Sequence, residues 1–348
     1  MGLNFFHVSN KSLETMTLDI LALNQIYPMK VLPELERLAQ SESTVFEDLL
    51  DFHRQVHQTT TDLSAYKKED KCTTNLNRIS HVFNVSEPLD LLICLPPKCG
   101  TTNWQKSMST VYLQNKGEFS PKKLLGHSMY SILPRIDLKA LKAATDARSS
   151  IFKENRFRIA NVRNPFARLY SAWGDKQRLE SPYLQYWRGI RPFQKALGAP
   201  PKGMNNSFTA FAQYVAANPG NSKMNFHWTS SFSQCHPCAI DYNVITHLEH
   251  SSEESDYIMR MLGVGEGAKL RDRYAWSPAT TDELKWQSVP RGTAKNIYKH
   301  YYLDFVLYGY SPDDVMKFIN ATDKSMNAAS FDQEESSRNS FRNLLNTI

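Results

Sequence analysis

Apolar positions change rhythm near residue 88. Residues 1 to about 80 are polar, with apolar side chains at helical spacing, clearest in "VLPELERLAQSESTVFEDLLDFHRQVHQ", and the charged run "KKEDK" follows. This predicts an N-terminal helical stem over 1–85. From "LDLLICL" onward, short apolar runs alternate with amphipathic stretches, the pattern of an α/β domain with an open parallel sheet flanked by helices, here over 86–322. Its first unit is a strand over 89–95, a loop over 96–101 and a helix from Thr102 to Gln114. Its second is the strand "RFRIANV" over 156–162, a turn through "RNP" and the helix "FARLYSAWGDKQRL". An irregular stretch, "PYLQYWRGIRPFQKALGAPPKG", precedes the helix "SFTAFAQYVAAN", which "PGN" closes. A third strand over 242–248 leads into the helix "EESDYIMRMLGV", and "TAKNIYKHYYLDFVLYGY" has the spacing of one further helix. Residues 323–348 are polar and are expected to be a disordered tail.

Composition narrows the class. With 41% apolar residues in 348, the chain can bury a full core and is not a disordered protein. Lys and Arg number 41 against 35 Asp and Glu, a charge of +6 that would favour anionic partners if gathered on one face. No nucleic-acid partner is expected. No run approaches the roughly 18 apolar residues of a membrane span, and "MGLNFFHVSNKSLETM" lacks the layout of a signal peptide, so any membrane attachment is expected through an anchor outside this chain. Phe6 breaks the myristoylation pattern. Five cysteines in a chain this long do not make a disulfide framework, and the sequons at Asn10, Asn84, Asn205 and Asn320 matter only in a secretory lumen.

The chemistry concentrates in two strand-to-helix turns. "LLICLPPKCGTTNWQKSM" leaves an apolar strand through small residues and one lysine and then enters a helix. Backbone N–H groups, a helix N-terminus and an ammonium together suit a phosphate. The lysine stands near the start of the loop, unlike the nucleotide-triphosphate loop G-x-x-x-x-G-K-[ST]. The second turn, "NVRNPFARLYSAWGDK", puts Arg163 at a strand end and Ser171 eight residues later, slightly over two helical turns, where both can converge on one anion. Two anion sites at neighbouring strand ends imply a ligand with two separated anionic groups.

"PKCGTTNW" followed by "VRNPFARLYSAWGDK" resembles the two cofactor motifs of Golgi carbohydrate sulfotransferases, in the branch holding the HNK-1, chondroitin, dermatan and GalNAc 4-O enzymes. "HWTSSFSQCHPCAIDYNVITHLE" and "IYKHYYLDFVLYGY" resemble two further blocks of that branch, so the likeness spans roughly 88–312. The resemblance implies a sulfotransferase fold and transfer of a sulfuryl group from 3′-phosphoadenosine 5′-phosphosulfate (PAPS) to a hydroxyl of an anionic glycan. A GalNAc-containing glycosaminoglycan or glycoprotein glycan is the acceptor it implies, with the Golgi lumen as location and no metal. By the same resemblance Pro97, Lys98, Cys99, Gly100, Thr101, Thr102 and Asn103 hold the 5′-phosphosulfate, and Arg163 with Ser171 holds the 3′-phosphate. Thr101 fills the slot where the family usually has Cys or Ser, and "RNPF" stands where an acidic residue is commoner, with Asn164 able to cap the helix.

Sulfuryl transfer is a loose in-line displacement, so positioned cations do much of the work and Lys98 suits the leaving oxygen. A sugar hydroxyl also needs a base, and His127, between the two motifs, is the candidate. Arg168 is expected to be solvated or salt-bridged, and Trp104, Trp173 and Trp228 to pack in the core. Cys94 is expected to be a simple buried residue. The pair in "CHPC" could be redox-active, half of a zinc site with His227 and His236, or structural, and in an oxidising lumen Cys235 and Cys238 would bond each other or Cys72. Two other functions compete. A P-loop kinase or NTPase needs a lysine followed by Ser or Thr and an aspartate at a strand end; a silent glycan-binding relative would have lost Lys98 or Arg163, and both are present.

Overall fold

The computed structural model describes residues 46–59, 82–86, 89–120, 156–176, 207–218, 226–235, 237, 240, 242–262 and 283–323. Four strands, β1 Phe83–Ser86, β2 Leu91–Cys94, β3 Phe157–Val162 and β4 Val244–His247, form one sheet in the order β1-β2-β3-β4. β2, β3 and β4 are parallel, with Ile93 opposite Ile159 and Ile159 opposite Val244, so the expected parallel α/β core is present. β1 was not anticipated: Phe83–Ser86, which straddle the expected boundary between stem and domain at 85/86, run antiparallel to β2 at the sheet edge. Every residue of β2 and β4 is buried, which is why β2 is a continuous apolar run rather than an alternating one, while the two polar residues of β4, Thr246 and His247, are buried with hydrogen-bond partners.

Period-2 alternation divides the side chains between two cores. Leu91, Ile93, Ile159 and Val244 face a smaller cluster with Trp104 and Met108 of helix α2, Thr101–Asn115, and Ile258 of helix α6, Ser251–Met261. Leu92, Cys94, Ala160, Val162 and Ile245 face the larger one. There they meet helices α3 (Pro165–Lys176), α4 (Phe208–Ala217), α7 (Arg291–His300), α8 (Tyr302–Leu307) and α9 (Pro312–Ala321). The short helix α5, Ser231–Cys235, packs against α8. The C-terminal run predicted as one helix is two, because Tyr301 leaves helical geometry at φ −102°, ψ 18° while its hydroxyl donates to the Trp228 carbonyl.

Helix α1, Phe46–Thr59, lies within the predicted stem and belongs to the larger core. Phe46, Leu49, Leu50 and His53 are buried, and α1 packs on α7, α8 and α9. His53 is held at both ring nitrogens, by the Tyr298 hydroxyl at 3.1 Å and the Tyr310 carbonyl at 2.9 Å. The expected tail lies outside the described residues but for Asp323. Among the described residues, no helix is long and apolar enough to cross a membrane.

The cysteine expectations are corrected. Cys94, at the end of β2, is disulfide-bonded to Cys235 at the end of α5, across 141 residues and with Cα atoms 5.7 Å apart. Cys235 is therefore neither a zinc ligand nor the partner of Cys238 or Cys72, both of which lie outside the described residues. A strand-end cysteine meeting a helix end is a tertiary event, and the short "CHPC" spacing suggested a local pairing instead. Trp104 and Trp228 are core residues as expected.

Candidate active site

The loop after β2 gathers most of the candidate residues. Pro97, Lys98, Gly100, Thr101, Thr102 and Asn103 are partly exposed along it, whereas Cys99 is fully buried with its thiol turned inward and its N–H donates to the Pro96 carbonyl at 3.2 Å, so Cys99 shapes the loop rather than facing its surface. Two residues adopt left-handed geometry, Lys98 at φ 71° and Gly100 at φ 75°. Glycine is required at 100 on two counts, since a Cβ there would also stand 2.8 Å from Leu248 Cδ1. Gly100 is the N-cap of α2 and no side chain caps that end, so the first N–H groups of a 15-residue helix open two residues after Lys98. Thr101 donates its hydroxyl to the Pro96 carbonyl at 3.0 Å, which closes the turn and leaves its oxygen able to accept.

The loop is braced from behind by the sheet. The Asn161 amide on β3 donates to the Cys99 carbonyl, and the Thr246 hydroxyl on β4 donates to Asn161 Oδ1 at 2.8 Å. Arg168 on α3 is 1% exposed rather than solvated. Its Nε donates to the Pro97 carbonyl at 2.9 Å and its Nη1 to the Thr229 carbonyl at 2.8 Å. The sequence offered no signal for this, because which face of α3 meets the loop depends on the strand order.

Arg163, at the end of β3, is buried and its Nη1 donates to the Lys98 carbonyl at 3.4 Å. The guanidinium and the lysine loop thus meet on one side of the sheet. Asn164 caps α3 as its residue type allows, accepting from Phe166 N at 3.0 Å, while its own N–H donates to Glu249 at 2.8 Å. Ser171 is partly exposed, and helical spacing puts it on the same face of α3 as Arg168 and Asp175, both of which touch the loop. His127 lies outside the described residues.

Asp175, Lys176 and His227 were not singled out as catalytic by sequence. Lys98 Nζ is ion-paired with Asp175, whose carboxylate also takes Lys176 Nζ at 2.9 Å. Burial lowers the pKa of Lys98 despite the attraction of Asp175, and Lys176 and Arg163 lower it further. Burial pushes the Asp175 carboxyl up, but the charge and hydrogen bond of Lys98, with those of Lys176, outweigh it and hold the group below its ordinary value. Burial and the neighbouring cations together thus outweigh what Asp175 returns to the ammonium, and an anionic ligand in the loop would restore the balance. His227 is 9% exposed; burial first, then repulsion from Lys176 and Lys98, takes it down to about 3, partly offset by Asp175. Asp304 is structural: its two oxygens accept from Ser231 N and Phe232 N, each at 2.7 Å, fixing the start of α5.

The chain is similar to known carbohydrate sulfotransferases. Carbohydrate sulfotransferase 11 of Rattus norvegicus is 29% identical over 254 residues, 69% of this chain and 70% of that protein. Carbohydrate sulfotransferase 11 of Danio rerio is 29% identical over 301 residues, covering 82% and 83%. Carbohydrate sulfotransferase 10 of Xenopus laevis is 27% identical over 329 residues, covering 82% and 88%. No solved structure matches. A family model described as "Sulfotransferase family" matches residues 81–311, a span that takes in both strand-to-helix turns and all four strands, and the chain belongs to that family.

Proposed function

We propose that this sulfotransferase is a carbohydrate O-sulfotransferase that carries the sulfuryl group of PAPS to a hydroxyl of a glycan, with a GalNAc-containing glycosaminoglycan or glycoprotein glycan as acceptor. The observation that carries the reading is the meeting of Arg163 with the backbone of Lys98 at the uncapped start of α2. It supports one ligand engaging both turns, as a donor with a phosphosulfate at one end and a 3′-phosphate at the other would. The names of the relatives, all carbohydrate sulfotransferases, support the class of acceptor.

The donor supplies an activated sulfuryl group; this chain supplies its position and its electrostatics. Lys98, with the N–H groups of Gly100, Thr101 and Thr102, would hold the phosphosulfate and neutralise charge growing on the leaving oxygen. In doing so Lys98 would exchange Asp175 for the ligand, and Asp175 would keep Lys176. Arg163 and Ser171 would hold the 3′-phosphate, Arg163 by charge-assisted hydrogen bonds. The buried Cys94–Cys235 disulfide supports an oxidising lumen such as the Golgi as the working compartment.

The test is transfer of radiolabelled sulfate from PAPS to a panel of desulfated glycosaminoglycans, with binding of the product 3′-phosphoadenosine 5′-phosphate (PAP) measured by calorimetry. Wild type should label at least one glycan, and Lys98→Ala should lose about 10²–10³ in kcat, the size expected when a group stabilising developing charge is removed. Arg163→Ala should weaken PAP binding by at least about tenfold, the loss of a charged hydrogen bond worth roughly 1.5–3 kcal/mol. Wild type that binds PAP yet labels nothing refutes catalysis, and unchanged PAP affinity in Arg163→Ala refutes the 3′-phosphate assignment.

A further inference from the structure

Resting on the sulfotransferase reading above, we infer that His227 is the general base that takes the proton of the acceptor hydroxyl, and that the exposed ring of Phe226 beside it is the surface on which the acceptor sugar lies.

Arg168 carries the geometry. A single guanidinium donates to the carbonyl of Pro97, the residue before Lys98, and to the carbonyl of Thr229, two residues after His227. The two carbonyls are therefore held within one guanidinium's reach, so the His227 segment is clamped against the catalytic loop. The clamp does not act alone. Gln234 Nε2 donates to Phe226 O at 3.1 Å and Thr229 O at 2.8 Å, Tyr301 donates to Trp228 O, and the Trp228 ring is buried against Phe211 at 5.2 Å. The backbone on both sides of His227 is thus fixed, as a base that must meet a hydroxyl within about 3 Å requires.

The charges that act on His227 are those of the proposed donor site: Lys176, Lys98, Asp175 and Arg168. Among the described side chains, the other histidines sit elsewhere. His53 is turned into the contact between α1 and α7, His247 is paired with Glu254 and the Tyr308 carbonyl, His250 occupies the turn before α6, and His300 lies at the end of α7. His227 is neutral at pH 7, the state in which an imidazole can take up a proton. An anionic donor among Lys98, Lys176 and Arg168 opposes the repulsion that they add to the effect of burial, and so strengthens His227 as a base when the reaction is set up. Phe226 supplies the acceptor side. It is 45% exposed, and its ring centre lies 4.0 Å from that of His227. An exposed aromatic face beside a buried imidazole suits the C–H face of a sugar with a hydroxyl directed inward.

In the step, the hydroxyl oxygen forms a bond to sulfur as His227 takes its proton. The bond from sulfur to the bridging oxygen breaks, and its electron pair stays on the phosphate, facing Lys98. The imidazolium then passes its proton to solvent.

The test uses the full chain, radiolabelled PAPS and the glycan that wild type labels best. His227→Gln should lose about 10²–10⁴ in kcat while binding PAP as wild type does. Phe226→Ala should raise KM for the glycan with a smaller effect on kcat and none on PAP binding. In the wild type, the NMR pH titration of the His227 ring, assigned by its absence from His227→Gln, should move upward when PAP is added. His227→Gln with kcat within about threefold of wild type overturns the assignment alone, as does a loss of that size in His127→Gln with His227→Gln fully active. If His227→Gln does not fold, the wild-type titration decides, and a ring that PAP leaves unmoved overturns the proposal. Wild type that binds PAP but labels no glycan overturns the sulfotransferase reading itself, and this assignment with it.

Discussion

Two buried groups near the loop respond to pH in opposite senses. Burial takes His227 down to about 3 and takes the Asp304 carboxyl up to about 6, where Arg168 and the N–H groups of Phe232 and Ser231 oppose it. Between about pH 3 and 6.5 the unfolded chain protonates residue 227 and the folded chain does not, so this histidine makes stability fall as pH falls. Asp304 works the other way between its ordinary value of 3.8 and about 6, binding a proton in the folded state that the unfolded chain releases. His300, which burial takes down to about 4, adds to the effect of His227. One excess proton is worth about 1.4 kcal/mol per pH unit. Urea unfolding of His227→Gln between pH 4.5 and 5.5 should therefore show a dependence on pH shallower than wild type by up to about that amount, and equal slopes would show that residue 227 is solvated.

Among the elements, the loop after β2 is the one whose shape comes from elsewhere. Asn161 and Thr246 brace it from β3 and β4, Arg168 holds it from α3, and the strand that feeds it is tied to α5 by Cys94–Cys235. Closing a loop across 141 residues removes much of the unfolded chain's freedom, by the entropy argument roughly 5 kcal/mol. Cys235→Ser should therefore lower unfolding free energy by about 2–5 kcal/mol in urea and leave Cys94 as an additional thiol that denaturation exposes to thiol reagent. An unchanged midpoint would show that the bond does not form in the protein. The lysine loop, the arginine at the next strand end and the asparagine cap were all legible, because each is a local rule: small residues for close backbone approach, a strand-end position, an N-cap oxygen. Arg168, Asp175 and the disulfide were not, because their partners are set by which helix face turns to which loop. α9 was legible and missed, since Ser311, Pro312 and Asp314 spell a capping box with proline at the first turn.

Taken as a whole, the molecule does not end where its apolar rhythm changes. The helical spacing of the predicted stem was correct for α1, yet spacing alone could not tell a free amphipathic helix from one with a partner. Leu49 and Leu50, each 1% exposed, share a core with Tyr298, Tyr302 and Phe305 of α7 and α8. His53 joins the Tyr298 hydroxyl to the carbonyl of Tyr310, whose own hydroxyl donates to Glu249 at 3.3 Å, and Glu249 accepts from the N–H of Asn164 beside Arg163. α1 is thus continuous with the support of the second anion turn. Leu50→Ala should lose about 2–5 kcal/mol of unfolding free energy, the usual toll of a buried leucine, and His53→Ala about 1–3 kcal/mol for leaving buried hydrogen-bonding groups unpaired. Both variants should bind PAP as wild type does below their own melting temperatures, because α1 reaches the second anion turn indirectly, through Tyr310 and Glu249. If α1 were a tether, Leu50→Ala would melt with wild type, and a chain beginning at residue 82 would be as stable as the whole; burial of Leu49, Leu50 and His53 predicts instead that such a chain exposes the Tyr298 and Tyr302 face and aggregates.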